Sequence, residues 1–388
     1  MKKLITLSFL LVILGLSACG SMPELRSGST ADREQRLKTY LDGIVETNMT
    51  PGAQYVVVNK NKVLFQYATG NARVDAEAMS LNTPMMLYSA TKLFTVVAVL
   101  QLAEQNKLQL DAPLSKYLPE IPYKTVTIKQ VLSHRSGIPD PIIGKMYVHP
   151  EHEHNSIDRA GMLAKTLSDN SELKFEPGSD VAYSNLGYAL LGELIATVSA
   201  TSYEDYVTEN ILKPLGMEKG AAFDFSHFEE DSRGYVRRYS IMNLVMGMMI
   251  DHLTPLKEGD WKTFKEHWYF NFPAHGGLIA NAPSAARFVQ AMLSESSSIL
   301  STKQKEAFFS IQGEWNSSLL SSTHNALGWF YNEKSSVPYY FHEGSAFGYI
   351  SELRVYPKAG IASVMLVNTT RRDHKEVMDN IDMEFASQ

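Results

Sequence analysis

Strand-like segments gather at the two ends of this 388-residue chain, and neither group can stand alone. Near the start, Gln54 to Val58 and Val63 to Thr69 alternate as strands, with Asn59-Lys60-Asn61-Lys62 as the turn between them. Near the end, Tyr339 to His342, Tyr349 to Tyr356 and Ile361 to Asn368 read the same way, and Pro357-Lys358-Ala359-Gly360 turns the last pair. Two strands are not a stable unit, so the two ends must meet in one antiparallel sheet. A helix from Ala31 to about Asn48 precedes the first strands, and another from about Asp373 to Ala386 closes the chain. The stretch between, roughly Pro113 to Phe272, reads as helix and loop. The expected class is α+β: an antiparallel sheet flanked by N- and C-terminal helices, with an all-helical subdomain inserted. The sheet part covers about 31–112 and 273–388, and the helical part about 113–272.

The first thirty residues lie outside that body. Met1-Lys2-Lys3 is basic, and Leu4 to Leu16 is apolar but too short to cross a bilayer core of about 30 Å. The run ends in Leu16-Ser17-Ala18-Cys19, and Cys19 is the sole cysteine. This resembles a bacterial lipoprotein signal, in which the cysteine carries the lipid and becomes the first mature residue. An ordinary signal peptide with an incidental cysteine is the alternative. Residues 20–30 are small and polar, as a tether should be. The expectation is an exported cell-envelope protein held to the membrane through lipidated Cys19. In a Gram-negative cell Gly20, in place of Asp, directs it to the periplasmic face of the outer membrane. A net charge of -6 and the lack of a basic stripe argue against nucleic acid as a partner.

Tyr88-Ser89-Ala90-Thr91-Lys92 leads into the apolar run Leu93 to Leu100, which only Thr95 interrupts and which reads as a buried helix. Positions i and i+3 share a helix face, so the Ser89 hydroxyl and the Lys92 amine can meet. A serine is a poor nucleophile until a base takes its proton, and lysine is a base only where burial keeps it neutral. Ser171-Glu172-Leu173-Lys174 has the same spacing but sits in a polar loop with no apolar helix behind it. Tyr183-Ser184-Asn185 precedes a second apolar helix, and here a phenol with a lowered pKa can shuttle a proton while an amide binds a substrate carbonyl. Tyr269-Phe270-Asn271 repeats that pattern inside an aromatic cluster and reads as core. His342-Glu343-Gly344-Ser345 ends a strand, where Gly344 would admit substrate backbone along the edge and the Ser345 N–H would join that of Ser89 as an oxyanion donor.

Taken together and in this order, the three elements resemble those of the serine β-lactamase and penicillin-binding protein superfamily. The resemblance is strongest to its class C β-lactamase, D-alanyl-D-alanine carboxypeptidase and esterase branch. The connecting stretches Val131 to Pro139, Glu176 to Met217 and His275-Gly276-Gly277-Leu278 carry it too. It implies Ser89 as nucleophile, Lys92 and Tyr183 sharing the proton transfers, Asn185 orienting substrate, and His342 lining the strand. No cofactor is required. The third motif departs from the β-lactamase Lys-Thr-Gly. A His with Glu343 beside it suits a substrate carboxylate poorly if Glu343 faces the cleft, and a neutral ester or amine-bearing substrate would then fit better.

The expected substrate is a small-molecule ester, amide or peptide, and the expected function a serine hydrolase working through an acyl-enzyme. A cell-wall peptidase or β-lactamase is the alternative, and a silent tethered binding protein a further one. His149 to His154 lacks the spacing of a helical zinc motif and reads as an exposed loop without metal. The methionine-rich Ile241 to Ile250 reads as a core helix, or as a wall for an acyl chain.

Overall fold

The computed structural model describes residues 22–141, 148–237, 253–255, 261–317, 322–370 and 373–386. Cys19 with its apolar leader and the methionine-rich 241–250 run lie outside these residues. Among the described residues no helix is long and apolar enough to cross a membrane.

The two ends of the chain do meet. Strands β1 (Gly52–Asn59), β2 (Val63–Arg73), β3 (Glu77–Ala78), β4 (Gly313–Ser317), β5 (Ser322–Asn325), β6 (Phe330–Asn332), β7 (Tyr339–Ala346), β8 (Tyr349–Tyr356) and β9 (Ile361–Val367) form one sheet in the order β4-β5-β6-β7-β8-β9-β1-β2-β3. Every pairing in it is antiparallel, and β1 joins β9 in the register Ala53↔Val367 to Asn59↔Ile361. The first and last strands of the domain thus sit side by side at the sheet's middle.

Both faces of that middle are covered, which is why Tyr55-Val56-Val57-Val58 is apolar without alternation. Tyr55 and Val57 point toward helices α1 (Arg33–Glu46) and α5 (His374–Ala386), joining Leu37, Leu41, Val377 and Ile381. Val56 and Val58 point the other way, into the larger core with helices α2 (Thr91–Glu104) and α4 (Ala282–Met292). Along α2, Leu93, Phe94, Val96, Val97, Val99 and Leu100 are all fully buried. Each contributes about 1.5–3 kcal/mol by leaving water. Phe94 stacks on Phe288 of α4 with ring centroids 4.1 Å apart. A helix held on all sides is a rigid mount for whatever its first turn carries.

The middle segment is helix-rich, with α3 (Asn185–Ser199) and shorter helices at Ile128–Leu132, Arg159–Asp169 and Tyr203–Val207. It is not all-helical. Val148–Pro150 pairs with Trp268–Phe270, and Tyr235–Arg237 and Leu253–Pro255 flank Trp261–Phe264. These strands are three or four residues long, too short for a period of two to show in sequence. The His149 to His154 stretch is accordingly no free loop: His149 is 1% exposed and its Nδ1 lies 2.5 Å from Asn271 Oδ1. Asn271 and Tyr269 are core residues, as expected, and Ser171 and Glu172 are exposed.

Candidate active site

Ser89 stands in the turn Tyr88–Ala90 that opens into α2, and three straps hold that turn. The Leu87 N–H donates to the Leu278 carbonyl at 2.8 Å, and the Ser351 hydroxyl of β8 donates to the Leu87 carbonyl at 2.6 Å. The Leu278 N–H donates to the Thr91 hydroxyl at 3.1 Å. Tyr88 itself takes a left-handed backbone, φ 44°, which a bulky residue adopts only where its surroundings over-determine it. Its ring is buried against Phe270, Phe347 and Tyr349. The turn is therefore fixed from both sides, while Ser89 stays partly open.

Lys92 lies one turn on and is wholly buried. Its Nζ sits 3.2 Å from Ser89 Oγ, 2.8 Å from Asn185 Oδ1 and 2.6 Å from the His275 carbonyl oxygen. Burial pulls its pKa down to about 7, partly offset by the Asp140 carboxylate. A neutral amine has two N–H bonds and one lone pair. The Asn185 and His275 oxygens can only accept, so they take the two N–H bonds. The lone pair is left facing the hydroxyl of Ser89.

Tyr183 comes from the loop before α3, beside Ser89 and Lys92. The Lys92 Nζ lies 4.8 Å from its ring centroid. The expectation of a lowered phenol pKa is not met. Burial pushes the phenol up, with Asp140 and Glu343 adding to the rise and the Ser89 hydroxyl opposing it. Tyr183 is a protonated hydrogen-bonding group here, not a base.

β7 passes directly under the nucleophile turn. A Cβ at Gly344 would stand 2.8 Å from the Ser89 backbone nitrogen, so glycine serves close approach to this turn rather than room for substrate. His342 is 1% exposed, with Nδ1 2.8 Å from the Glu343 carbonyl oxygen. Burial, and then the nearby Lys92, take its pKa down to about 3, so it is a neutral imidazole. Glu343 alternates to the opposite face. Its carboxylate meets Lys375 at 3.1 Å and His374 at 3.7 Å on α5, turned away from the cleft. The premise that Glu343 repels a substrate carboxylate fails. Ser345 is half-buried at the end of this run.

The sequence reading missed two groups. Asp140 accepts from the Asn185 backbone N–H at 2.9 Å and from Asn185 Nδ2 at 3.2 Å. His134, buried and left-handed at φ 55°, stacks on Tyr183 with centroids 4.5 Å apart, and its Nδ1 accepts from the Ser184 N–H. Burial, with Lys92 and His342 nearby, keeps His134 neutral. His134 lay within a stretch that carried the family resemblance, but its partners are 50 residues further along the chain. The one group of possible metal ligands among the described residues is Glu343, Glu352 and His374. Lys375 and Arg354 already neutralise its carboxylates.

A serine at the mouth, a buried amine behind it and a strand laid under its amide also describe a known family, and the beta-lactamase family model matches residues 37–387. The chain belongs to that family. It is 26% identical over 372 residues to protein flp of Staphylococcus aureus (strain COL), covering 92% of this chain and 68% of that one. A shorter, 216-residue match to the strain MW2 protein flp is 33% identical and spans 53% of this chain and 42% of the relative. A putative penicillin-binding protein, PbpX, of Bacillus subtilis (strain 168) is 34% identical over 194 residues, 48% of this chain and 44% of the relative. Among solved structures, the octameric penicillin-binding protein homologue from Pyrococcus abyssi superposes with a TM-score of 0.76 at 21% identity, over 91% of this chain and 77% of that one. The D-amino acid amidase from Ochrobactrum anthropi SV3, complexed with L-phenylalanine, gives 0.75 at 20% identity over 90% and 98%. These two show the shared fold. The family and the sheet with its flanking helices agree with the expectation, and the family supports a serine hydrolase.

Proposed function

We propose that this protein is an envelope-anchored serine hydrolase that cleaves a small ester or amide through an acyl-enzyme on Ser89. The observation that carries the reading is the Lys92 amine: wholly buried, with its Nζ 3.2 Å from Ser89 Oγ and its pKa drawn down to about 7 by that burial. Lys92 takes the hydroxyl proton as Oγ attacks the substrate carbonyl. The Ser89 and Ser345 backbone N–H groups receive the oxyanion, and Asn185 borders the substrate's acyl side. Tyr183, protonated and beside Ser89, hands its proton to the departing alcohol or amine and recovers one from Lys92. Water then attacks the ester, and the same groups run in reverse to free Ser89.

The neutral His342 favours a substrate without a carboxylate at that point. Where β-lactamases carry a lysine, this chain offers an uncharged ring, so the attraction that holds a penicillin or a D-alanyl terminus is missing. A cell-wall peptidase remains the second reading, favoured by Glu343 turning away from the cleft. The silent binding protein is disfavoured, since among the described residues no carboxylate contacts the buried Lys92, and a costly group of that kind is what a functional site retains.

The test uses the full-length protein in detergent, a chromogenic short-chain ester and a fluorescent penicillin. Ester turnover lost in Ser89→Ala, with no stable penicillin label, supports the first reading, and a durable penicillin adduct on Ser89 supports the second. Absence of both would overturn the enzyme. Lipidation at Cys19 is tested by palmitate incorporation and membrane fractionation, both of which Cys19→Ser should abolish.

A further inference from the structure

We infer that Asp140 is a positioning residue that fixes which end of the Asn185 side-chain amide faces Lys92, and thereby aims the Lys92 lone pair at Ser89. The inference rests on the acyl-enzyme reading above and adds to it a residue that touches neither the nucleophile nor its base.

An asparagine side chain is nearly symmetric in shape, and its oxygen and nitrogen exchange by a half-turn. Asn185 Oδ1 stands 2.8 Å from Lys92 Nζ, so in this orientation it accepts an N–H from the amine. In the other orientation it would present N–H groups to the amine. A neutral Lys92 would then turn its lone pair onto Asn185, and Ser89 would lose its base. The family motif places an asparagine here but does not say what holds its orientation.

Asp140 supplies the hold. A carboxylate only accepts. One Asp140 oxygen takes the Asn185 backbone N–H at 2.9 Å and the other takes Asn185 Nδ2 at 3.2 Å. Flipping the amide would set its oxygen against the Asp140 oxygen, two acceptors with no proton between them. Asp140 is half-buried, so the clash is poorly screened.

Asp140 also sets the electrostatics. Around Lys92 stand His134 and His342, both neutral, the His275 ring, which burial likewise keeps neutral, and Tyr183, protonated. The fixed negative charge that acts on Lys92 is that of Asp140. Lys174 is the further cation that Asp140 feels. Removing the Asp140 charge should therefore make Lys92 easier to deprotonate, even as it loses its aim.

The experiment separates these effects. Asp140→Asn keeps the shape but offers one acceptor and one donor. The rigid backbone N–H of Asn185 keeps the acceptor, and the donor forces the Asn185 amide over. The double variant Asp140→Asn with Asn185→Asp exchanges the two groups. Every hydrogen bond regains its polarity, and the charge moves next to Lys92.

Two readouts follow in the full-length protein: the pH dependence of Ser89 labelling by a fluorophosphonate, and the titration of Lys92 followed by its 13Cε resonance. Asp140→Asn should lower the high-pH labelling plateau about 100-fold, as for a misaimed catalytic group. Its acid limb and the Lys92 titration should move to lower pH. The double variant should recover the plateau to within about tenfold of wild type, with both midpoints moved to higher pH. A merely structural role moves the thermal midpoint and gives no recovery in the exchange.

The inference is overturned if Asp140→Asn, with a wild-type thermal midpoint, keeps the wild-type plateau and an unmoved Lys92 titration. It is equally overturned if the double variant stays as slow as the single one. If wild-type Ser89 takes no label at all, the hydrolase reading fails, and the Lys92 titrations still decide whether Asp140 acts on the amine.

Discussion

Gly344 and Ser89 are separated by no side chain: a methyl group added at Gly344 would come within 2.8 Å of the Ser89 backbone nitrogen. The strand and the nucleophile turn are built as one piece, with the Ser351 hydroxyl tying the same turn from the next strand over. The sheet fixes the Ser89 amide and α2 fixes the Ser89 side chain relative to Lys92. Disturbing either should damage the reaction in a different way.

Gly344→Ala pushes β7 and the Ser89 turn apart. The expected outcome is a fall in kcat of about 100-fold, since displacement on this scale misaligns the reacting groups. Lys92 should keep its depressed titration, because burial within α2 sets it. Ester kinetics together with the thermal midpoint check this. A variant as active as wild type would mean that the strand does not bear on the nucleophile.

His342→Lys places a cation where a neutral ring now lies. Acylation by a penicillin should rise relative to acylation by a neutral ester, because the new ammonium can meet the penicillin carboxylate. The contrast should shrink in high salt. Competition between fluorescent penicillin and a chromogenic ester measures it. An unchanged ratio would detach substrate charge preference from this position.

Glu343 ties β7 to α5 and keeps its carboxylate turned away from the cleft. Its carboxylate meets Lys375 and His374, and Glu352 beside it pairs with His374 at 2.9 Å and Arg354 at 2.5 Å. Arg354 continues the network to Asp379 and Asp382 on α5. Glu343→Gln removes one carboxylate from this buried network and should cost about 1–3 kcal/mol, read by chemical denaturation. The KM for a neutral ester should not change. A KM shift without loss of stability would put the carboxylate back in the substrate site.

Much of this was legible from the sequence, and the rest was hidden for definable reasons. Tyr55 to Val58 and Ile361 to Val367 are long apolar strands, and their burial on both faces follows from their lack of polar interruption. Ser89 and Lys92 are bound by helical spacing, which sequence reports directly. β4, β5 and β6 escaped because Gly313-Glu314-Trp315-Asn316-Ser317 and its neighbours are short, polar and at the sheet's edge, where little burial shapes composition. Asp140 escaped because its partner is 45 residues away and only folding brings the two together. The side on which Glu343 lies was open for a similar reason. The period of two places it opposite Gly344, but only the packing of Gly344 on Ser89 and of Glu343 on Lys375 says which face is which. The phenol of Tyr183 shows that proximity to a lysine does not lower a pKa when burial is the larger effect.

The central claim is that an uncharged Lys92 removes the Ser89 proton, and the burst of chromophore on mixing ester with the full-length protein measures this step alone. The account predicts a burst rate that rises with pH along a single titration centred at about 7 and levels off above it. Below that midpoint Lys92 is protonated and has no lone pair to offer, so the acid side is the slow side. Lys92→Met should remove the burst, a loss of about 100-fold or more. It should also stabilise the fold, most fully below about 7 and progressively less as pH rises toward the usual lysine range, because the folded chain holds that proton more weakly than the unfolded one. A burst rate flat across pH 5 to 9, or one that survives in Lys92→Met, would contradict the account.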